Sequence, residues 1–249
     1  WLKPFWSQFH TVFELLAPAA CYRKSSGMPS LLKQIAYFPL EVFGYVGHYE
    51  AYSYSVVKDL GDWTVRRYEP AVAAQVRGGN DEDSMFIQLA TYIGVFGNPN
   101  NIASGEDCPE AVAMTVPVVT STPIAMTVPV VNTGAGQKES MQFILPSKYR
   151  TAAEAPKPTS PNVQLLDVPA KYAAVLRFYG RCSSNEDAET KYEELASLIT
   201  EAGLKAAGPF ELHRFNPPFT IPALRANEIV VPIAEETLPA AGIDKNACS

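Results

Sequence analysis

Histidine and cysteine are both scarce in this chain. The three histidines, His10, His48 and His213, and the four cysteines, Cys21, Cys108, Cys182 and Cys248, form no CxxC pair, zinc-finger spacing or HExxH pair. A metal knuckle, a helix-borne zinc site and a thioredoxin-like centre are thereby excluded, and no metal site is expected. Four cysteines in 249 residues do not make a disulfide framework, so free thiols are the expectation, with one accidental or regulatory disulfide as the alternative. Positive charge is in short supply as well: 20 Lys and Arg stand against 26 Asp and Glu, for a formal net charge of −6. Such a chain lacks the basic footprint that nucleic acid selects. Catalytic signatures are missing too. There is no G-x-S-x-G elbow, Gly78-Gly79-Asn80 has no basic or hydroxyl partner of a P-loop, and Glu193-Glu194 falls on a solvated helix face. The chain is therefore expected not to be an enzyme. The apolar stretch from Leu31 to Val46 carries Lys33 and Glu41 and is cut by Pro39, short of the roughly 20 residues that span a bilayer.

What is present is enough hydrophobic content, 47%, to bury a full core. Residues 1–47 read as an N-terminal helical extension. Trp1, Phe5, Trp6, Phe9, Val12, Phe13 and Leu16 recur at steps of three and four along one helix face. From Tyr52 the period changes to two. Short strands at Tyr52–Val56, Trp63–Tyr68 and Ala71–Arg77 are separated by turns at Gly61-Asp62 and Glu69-Pro70. Asp81 to Ser84 supply a cap and first-turn acids for a helix near 83–94, which Gly94 stops. Ala113–Val119 then recurs as an identical stretch at Ala125–Val131, and Pro117 and Pro129 suit an edge strand or bulge. Met141–Pro146 closes the half with a strand.

The order then repeats. Val163–Leu166, Tyr172–Tyr179, a helix near 187–202 capped by Ser184, and strands at Phe210–Phe215 and Asn227–Ile233 make a second β-β-α-β-β unit. Two such halves, about 52–150 and 160–233 within a domain of residues 48–233, imply an α+β fold. Its architecture is a pseudo-duplicated, distorted antiparallel β-barrel flanked by two α-helices. Residues 234–249 read as a loose polar tail.

Four landmarks in this order resemble the SOUL heme-binding-protein family: Trp63-Thr-Val-Arg-Arg-Tyr-Glu-Pro, the helix Phe86-x-x-Leu-x-x-Tyr-Ile93, the Met-Thr-Val-Pro-Val strands, and Phe215-Asn-Pro-Pro-Phe with Arg225-Ala-Asn-Glu-Ile-Val-Val-Pro. The resemblance covers roughly residues 52–233. It implies a non-enzymatic domain that holds heme or another tetrapyrrole in an apolar groove beside the first helix. Met85, Phe86, Leu89, Tyr92 and Ile93 would form the apolar face, and Arg66, Arg67 and Arg77 the nearest cations. Two departures point to weakened or lost heme binding. Arg67 stands where one branch of the family carries an iron-ligating histidine. No Lys or Arg occurs from Gly78 to Gln137, where another branch meets heme propionates. His213 is read as a structural histidine with heme ligation as the alternative. Met85, Met114, Met126 and Met141 are read as core filling, with soft sulfur for a porphyrin as the alternative.

The alternative function is that of a structural or scaffold subunit. In that reading the extension docks the domain to a larger organelle or membrane-associated complex through Trp1, Phe5, Trp6, Phe9, Phe13 and Leu16. The other outcome for these aromatics is packing on their own domain. A protein partner is expected rather than lipid, because Lys3 is the only cation among the first 22 residues. The chain begins at Trp1, a hint of a removed presequence. The expected setting is an organelle, plastid before mitochondrion, with the protein soluble or peripheral to a membrane.

Overall fold

The computed structural model describes residues 38–78, 81–121, 139–182 and 185–243. The docking face expected at Trp1 to Leu16, the second repeat copy at 125–131, Met126 and the Ser184 cap lie outside the described residues. The elements of the first half are β1 (Glu50–Ala51), β2 (Tyr54–Asp59), β3 (Trp63–Tyr68), β4 (Ala71–Arg77), α1 (Glu82–Ile93), β5 (Asn101–Ile102), β6 (Thr115–Val116), β7 (Val118–Ser121) and β8 (Ser140–Ile144). Those of the second are β9 (Lys157–Pro158), β10 (Val163–Val168), β11 (Lys171–Tyr179), α2 (Asn185–Glu201), β12 (Glu211–Arg214) and β13 (Ala226–Pro232).

Nine strands form one antiparallel sheet in the order β10-β4-β8-β7-β12-β13-β11-β3-β2. The curled sheet is a half-barrel whose edges are β10 and β2. Leaving out β2, the order is its own mirror image once the halves are exchanged. Strands β7 and β12 meet at the centre, and a strand from each half crosses into the other, β3 beside β11 and β10 beside β4. The two halves therefore interlock and cannot separate as independent barrels.

Alternation along each strand sorts side chains between two faces. Val72, Ala74, Val76, Met141 and Phe143 turn outward and are covered by Met85, Leu89 and Ile93 of α1. Val65, Ala174, Leu176, Ile229 and Val231 turn outward in the other half and are covered by Leu195 and Ile199 of α2. Asp81 caps α1, its carboxylate accepting from the Ser84 N–H at 2.6 Å, and Gly94 ends it at φ +88°. A Cβ at Gly94 would also meet Pro99 at 3.1 Å, so glycine is needed there twice over.

Three sequence expectations change. Pro117 falls between β6 and β7 rather than within an edge strand, and β7 lies mid-sheet between β8 and β12; a proline outside the ladder costs it no donor. Residues 235–241 form 3-10 turns, with Leu238 and Ile243 buried in the core beneath α2, because this polar-looking tail still holds apolar residues that close the barrel end. Finally, Cys108 is disulfide-bonded while Cys182 is free and buried.

The inward face of the sheet is polar at its centre. Arg66 of β3 and Glu228 of β13 form a bidentate pair at 3.0 and 3.1 Å, and the guanidinium also lies 4.2 Å from the Tyr54 ring centre. Their side chains are 7% and 1% exposed. Nearby, Lys171 donates to Glu211 at 2.5 Å, and His213 Nε2 lies 3.0 Å from the other Glu211 oxygen. Burial alone pushes the Glu211 carboxyl up, but the His213 hydrogen bond and the Lys171 ammonium outweigh it and hold it at about 2. Tyr52, Tyr68, Ala73, Ile144, Val175 and Val230 pack around these groups and fill the remaining interior.

Two outcomes follow from this interior. Glu228→Leu strands a buried guanidinium and should cost about 3–5 kcal/mol in urea unfolding, most of it recovered by adding Arg66→Met; a loss under about 1 kcal/mol contradicts the pairing. Because the folded Glu211 is depressed from 4.5 to about 2, its stabilisation is complete above pH 4.5 and is lost as pH falls toward 2. Glu211→Gln should flatten the urea midpoint across that window, and an unchanged acid profile would refute the assignment.

Candidate functional site

The surface around α1 is the first place to look for a ligand. The periodic apolar residues of this helix are consumed by the core. Met85 and Leu89 are fully buried, and Tyr92 and Ile93 nearly so, with the Tyr92 hydroxyl donating to the Pro156 carbonyl at 2.8 Å. Of the expected ligand face only Phe86 stays half-buried, its ring 5.5 Å from that of Phe143. A different apolar strip faces out. Ile87 is 53% exposed with Thr91 at i+4 on the same side of the helix, and Val95 and Phe96, just past the Gly94 cap, are 37% and 48% exposed. This strip lay outside the periodic pattern that marks a core face, so periodicity gave no signal for it.

The three arginines proposed as ligand cations are not brought together. Arg66 is locked to Glu228 inside the barrel, Arg67 pairs with Glu69 at 2.6 Å on the surface, and the Arg77 guanidinium donates to Gln75 at 2.6 Å. The cation that does reach α1 is Arg214 of β12, which donates to Glu82 at 2.9 Å and to the Thr120 hydroxyl at 3.0 Å. Alternation in β12 carried that information: Leu212 and Arg214 share a face, and Leu212 packs in the helix-covered core. Close by, burial and the Glu82 charge push the Glu139 carboxyl up, and Arg214 opposes them. The helix N-terminus thus carries two carboxylates around one guanidinium that is already engaged.

A heme site asks for an apolar wall, a cation for the propionates and, in ligated forms, an imidazole. The strip from Phe86 to Phe96 fits the first need. No histidine among the described residues meets the third. His213 is 1% exposed and bonded to Glu211 on the inward face, and His48 lies 2.9 Å from Glu41. His10 lies outside the described residues. Met85 and Met141 are buried and Met114 half-buried, all in the core beneath α1. No group of three or more His, Cys, Asp and Glu among the described residues is arranged to hold a metal ion.

Comparison with solved structures finds the C-terminal domain of EcmrR at 14% identity and a TM-score of 0.46, covering 71% of this chain and 99% of that one. A hydrolase from Listeria innocua matches at 11% identity and a TM-score of 0.42, covering 68% and 91%. Among curated proteins none matches the chain. The family model described as "SOUL heme-binding protein" matches residues 49–232, from the first strand through the last. That span takes in both interlocked halves, both helices and the outward-facing strip on α1, and the chain accordingly belongs to the SOUL heme-binding protein family.

Proposed function

We propose that this domain is a non-catalytic tetrapyrrole-binding module whose ligand lies against the outer strip of α1, with Phe86, Ile87, Val95 and Phe96 as the wall. Heme binding of this kind is weakened relative to a histidine-ligated protein. The observation that carries the reading is the placement of His213: its Nε2 is tied to Glu211 in a filled barrel interior, on the sheet face opposite the helices. A tetrapyrrole on the strip would be held by apolar contact, with Arg214 as the nearest cation if it released Glu82. Iron in heme would supply redox or ligand chemistry there, and the residues of this chain would bind and orient the macrocycle.

A second role is supported by a different feature. Phe38, Leu40, Phe43 and Tyr45, the residues that follow the aromatic extension, are all substantially exposed. This favours a domain fastened to a larger assembly or surface through its N-terminal side, the scaffold reading of residues 1–47.

Hemin titration of the purified chain tests the first role. A modest Soret shift that survives His213→Ala is expected, and Ile87→Asp with Phe96→Asp should weaken it by roughly tenfold. A sharp low-spin spectrum abolished by His213→Ala would contradict the proposal.

A further inference from the structure

Exposed apolar side chains are normally scattered, and a contiguous group of them on a locked framework calls for an explanation. Residues 38–49 form such a framework. A helical turn at 38–42 ends where the Gly44 N–H donates to the Glu41 carbonyl and the Tyr45 N–H to the Leu40 carbonyl, both at 3.0 Å. The Glu41 side chain turns inward, 4% exposed, and accepts from the Tyr49 hydroxyl at 2.7 Å with His48 Nε2 at 2.9 Å. The loop before β13 is clamped to it. Thr220 donates to the Glu41 carbonyl at 2.6 Å, the Ile221 N–H to the Val42 carbonyl at 3.0 Å, and Asn216 to the Gly44 carbonyl at 3.1 Å. Gly44, at φ +86°, lets the two segments meet; a Cβ there would lie 3.1 Å from the Leu224 carbonyl.

The polar groups of this junction are spent inward, and apolar ones are left outside. Phe43 is 69% exposed, and Phe38, Leu40, Tyr45, Ile221 and Leu224 are between 38% and 48% exposed. The Phe38 and Phe219 rings lie 4.9 Å apart, tilted by 36°. Charge is equally one-sided. In residues 38–49 and 214–226 the only acid is the buried Glu41. Arg225, held by the Thr220 and Pro218 carbonyls, rims the group, and its guanidinium lies close enough to Arg181 for the two charges to interact. The preceding chain continues the trend. Residues 1–48 carry four cations, Lys3, Arg23, Lys24 and Lys33, against the acids Glu14 and Glu41, in a chain whose net charge is −6.

We propose that this face, Phe38 to Tyr45 with Ile221 and Leu224, is a docking surface for an anionic lipid bilayer, rimmed by Arg181 and Arg225. The inference rests on the docking reading above and names its partner. It reverses the sequence-based preference for protein, which counted cations only in the first 22 residues. A protein interface wants about one hydrogen bond per 100–200 Å², and here the Glu41, Val42 and Gly44 carbonyls, the Glu41 carboxylate and the Asn216 and Thr220 side chains are already bonded within the domain. A bilayer surface asks only for aromatic and aliphatic side chains to enter the acyl boundary and for cations at headgroup level. No helix among the described residues is long and apolar enough to cross a membrane, so the contact is peripheral.

Flotation of the purified full chain with vesicles of phosphatidylcholine, with and without phosphatidylglycerol, tests this. The chain should float with the anionic vesicles and far less with the neutral ones. Phe43→Ser with Leu224→Ser, checked for native circular dichroism, should lower the partition coefficient about tenfold, and Arg181→Glu should erase the anionic preference. Failure to float with either vesicle overturns the proposal. Flotation unchanged by Phe43→Ser with Leu224→Ser but lost on replacing Phe5, Trp6 and Phe9 by serine also overturns it, while leaving docking through the extension standing.

Discussion

Arg66 and Glu228 face one another across the inside of a curled sheet, each the other's main partner, with Thr64 accepting from Arg66 and Arg177 3.6 Å from Glu228. A guanidinium or carboxylate so deeply buried costs several kcal/mol unless it is paired with good geometry, and the bidentate contact at 3.0 and 3.1 Å supplies that. Arg66 sits on β3, from the first half of the chain, and Glu228 on β13, from the second. The pair can form only when β3 has crossed over to lie beside β11, next to β13. It therefore couples the interlocking of the halves to the satisfaction of a buried charge. The Lys171–Glu211–His213 group, wholly from the second half, joins β11 and β12 within the same interior.

A filled and internally bonded interior has a consequence for ligands. The usual position for a small molecule in a β-barrel is its mouth or lumen, but here the lumen holds two charge clusters and the aromatic rings of Tyr52 and Tyr68. One cavity of about 340 Å³ opens between Tyr52, Glu69 and Tyr149. The proposed ligand surface is instead on the outside of the sheet, where Ile87 of α1 and Val95 and Phe96 just after it are exposed.

Much of the architecture was legible in the sequence. The period change at Tyr52, the Asp81 cap, the Gly94 stop and the repeated order of elements located both helices and the duplicated barrel, because those signals are local. Strand pairing is not local. Nothing in Trp63–Tyr68 or Val163–Val168 says that each strand leaves its own half, and that choice follows from the closure of the whole sheet. The burial of the expected ligand face has a related reason. Apolar residues at helical spacing mark the face that the core takes, so Met85, Leu89, Tyr92 and Ile93 vanish beneath the helix while the exposed strip has no periodic signature. Arg66 and Arg67 illustrate the same point on a strand: neighbours in sequence, they point to opposite faces, one into a buried pair with Glu228 and the other into a surface pair with Glu69.

The central claim, that this domain meets its tetrapyrrole on the outer face of α1 and not within the sheet, can be read residue by residue from amide NMR spectra during addition of hemin. Paramagnetic broadening should centre on the amides of Phe86, Ile87, Val95 and Phe96, with those of Glu211, His213 and Glu228 sharp throughout. Broadening that begins at His213 and Glu228 and spares α1 would contradict the account.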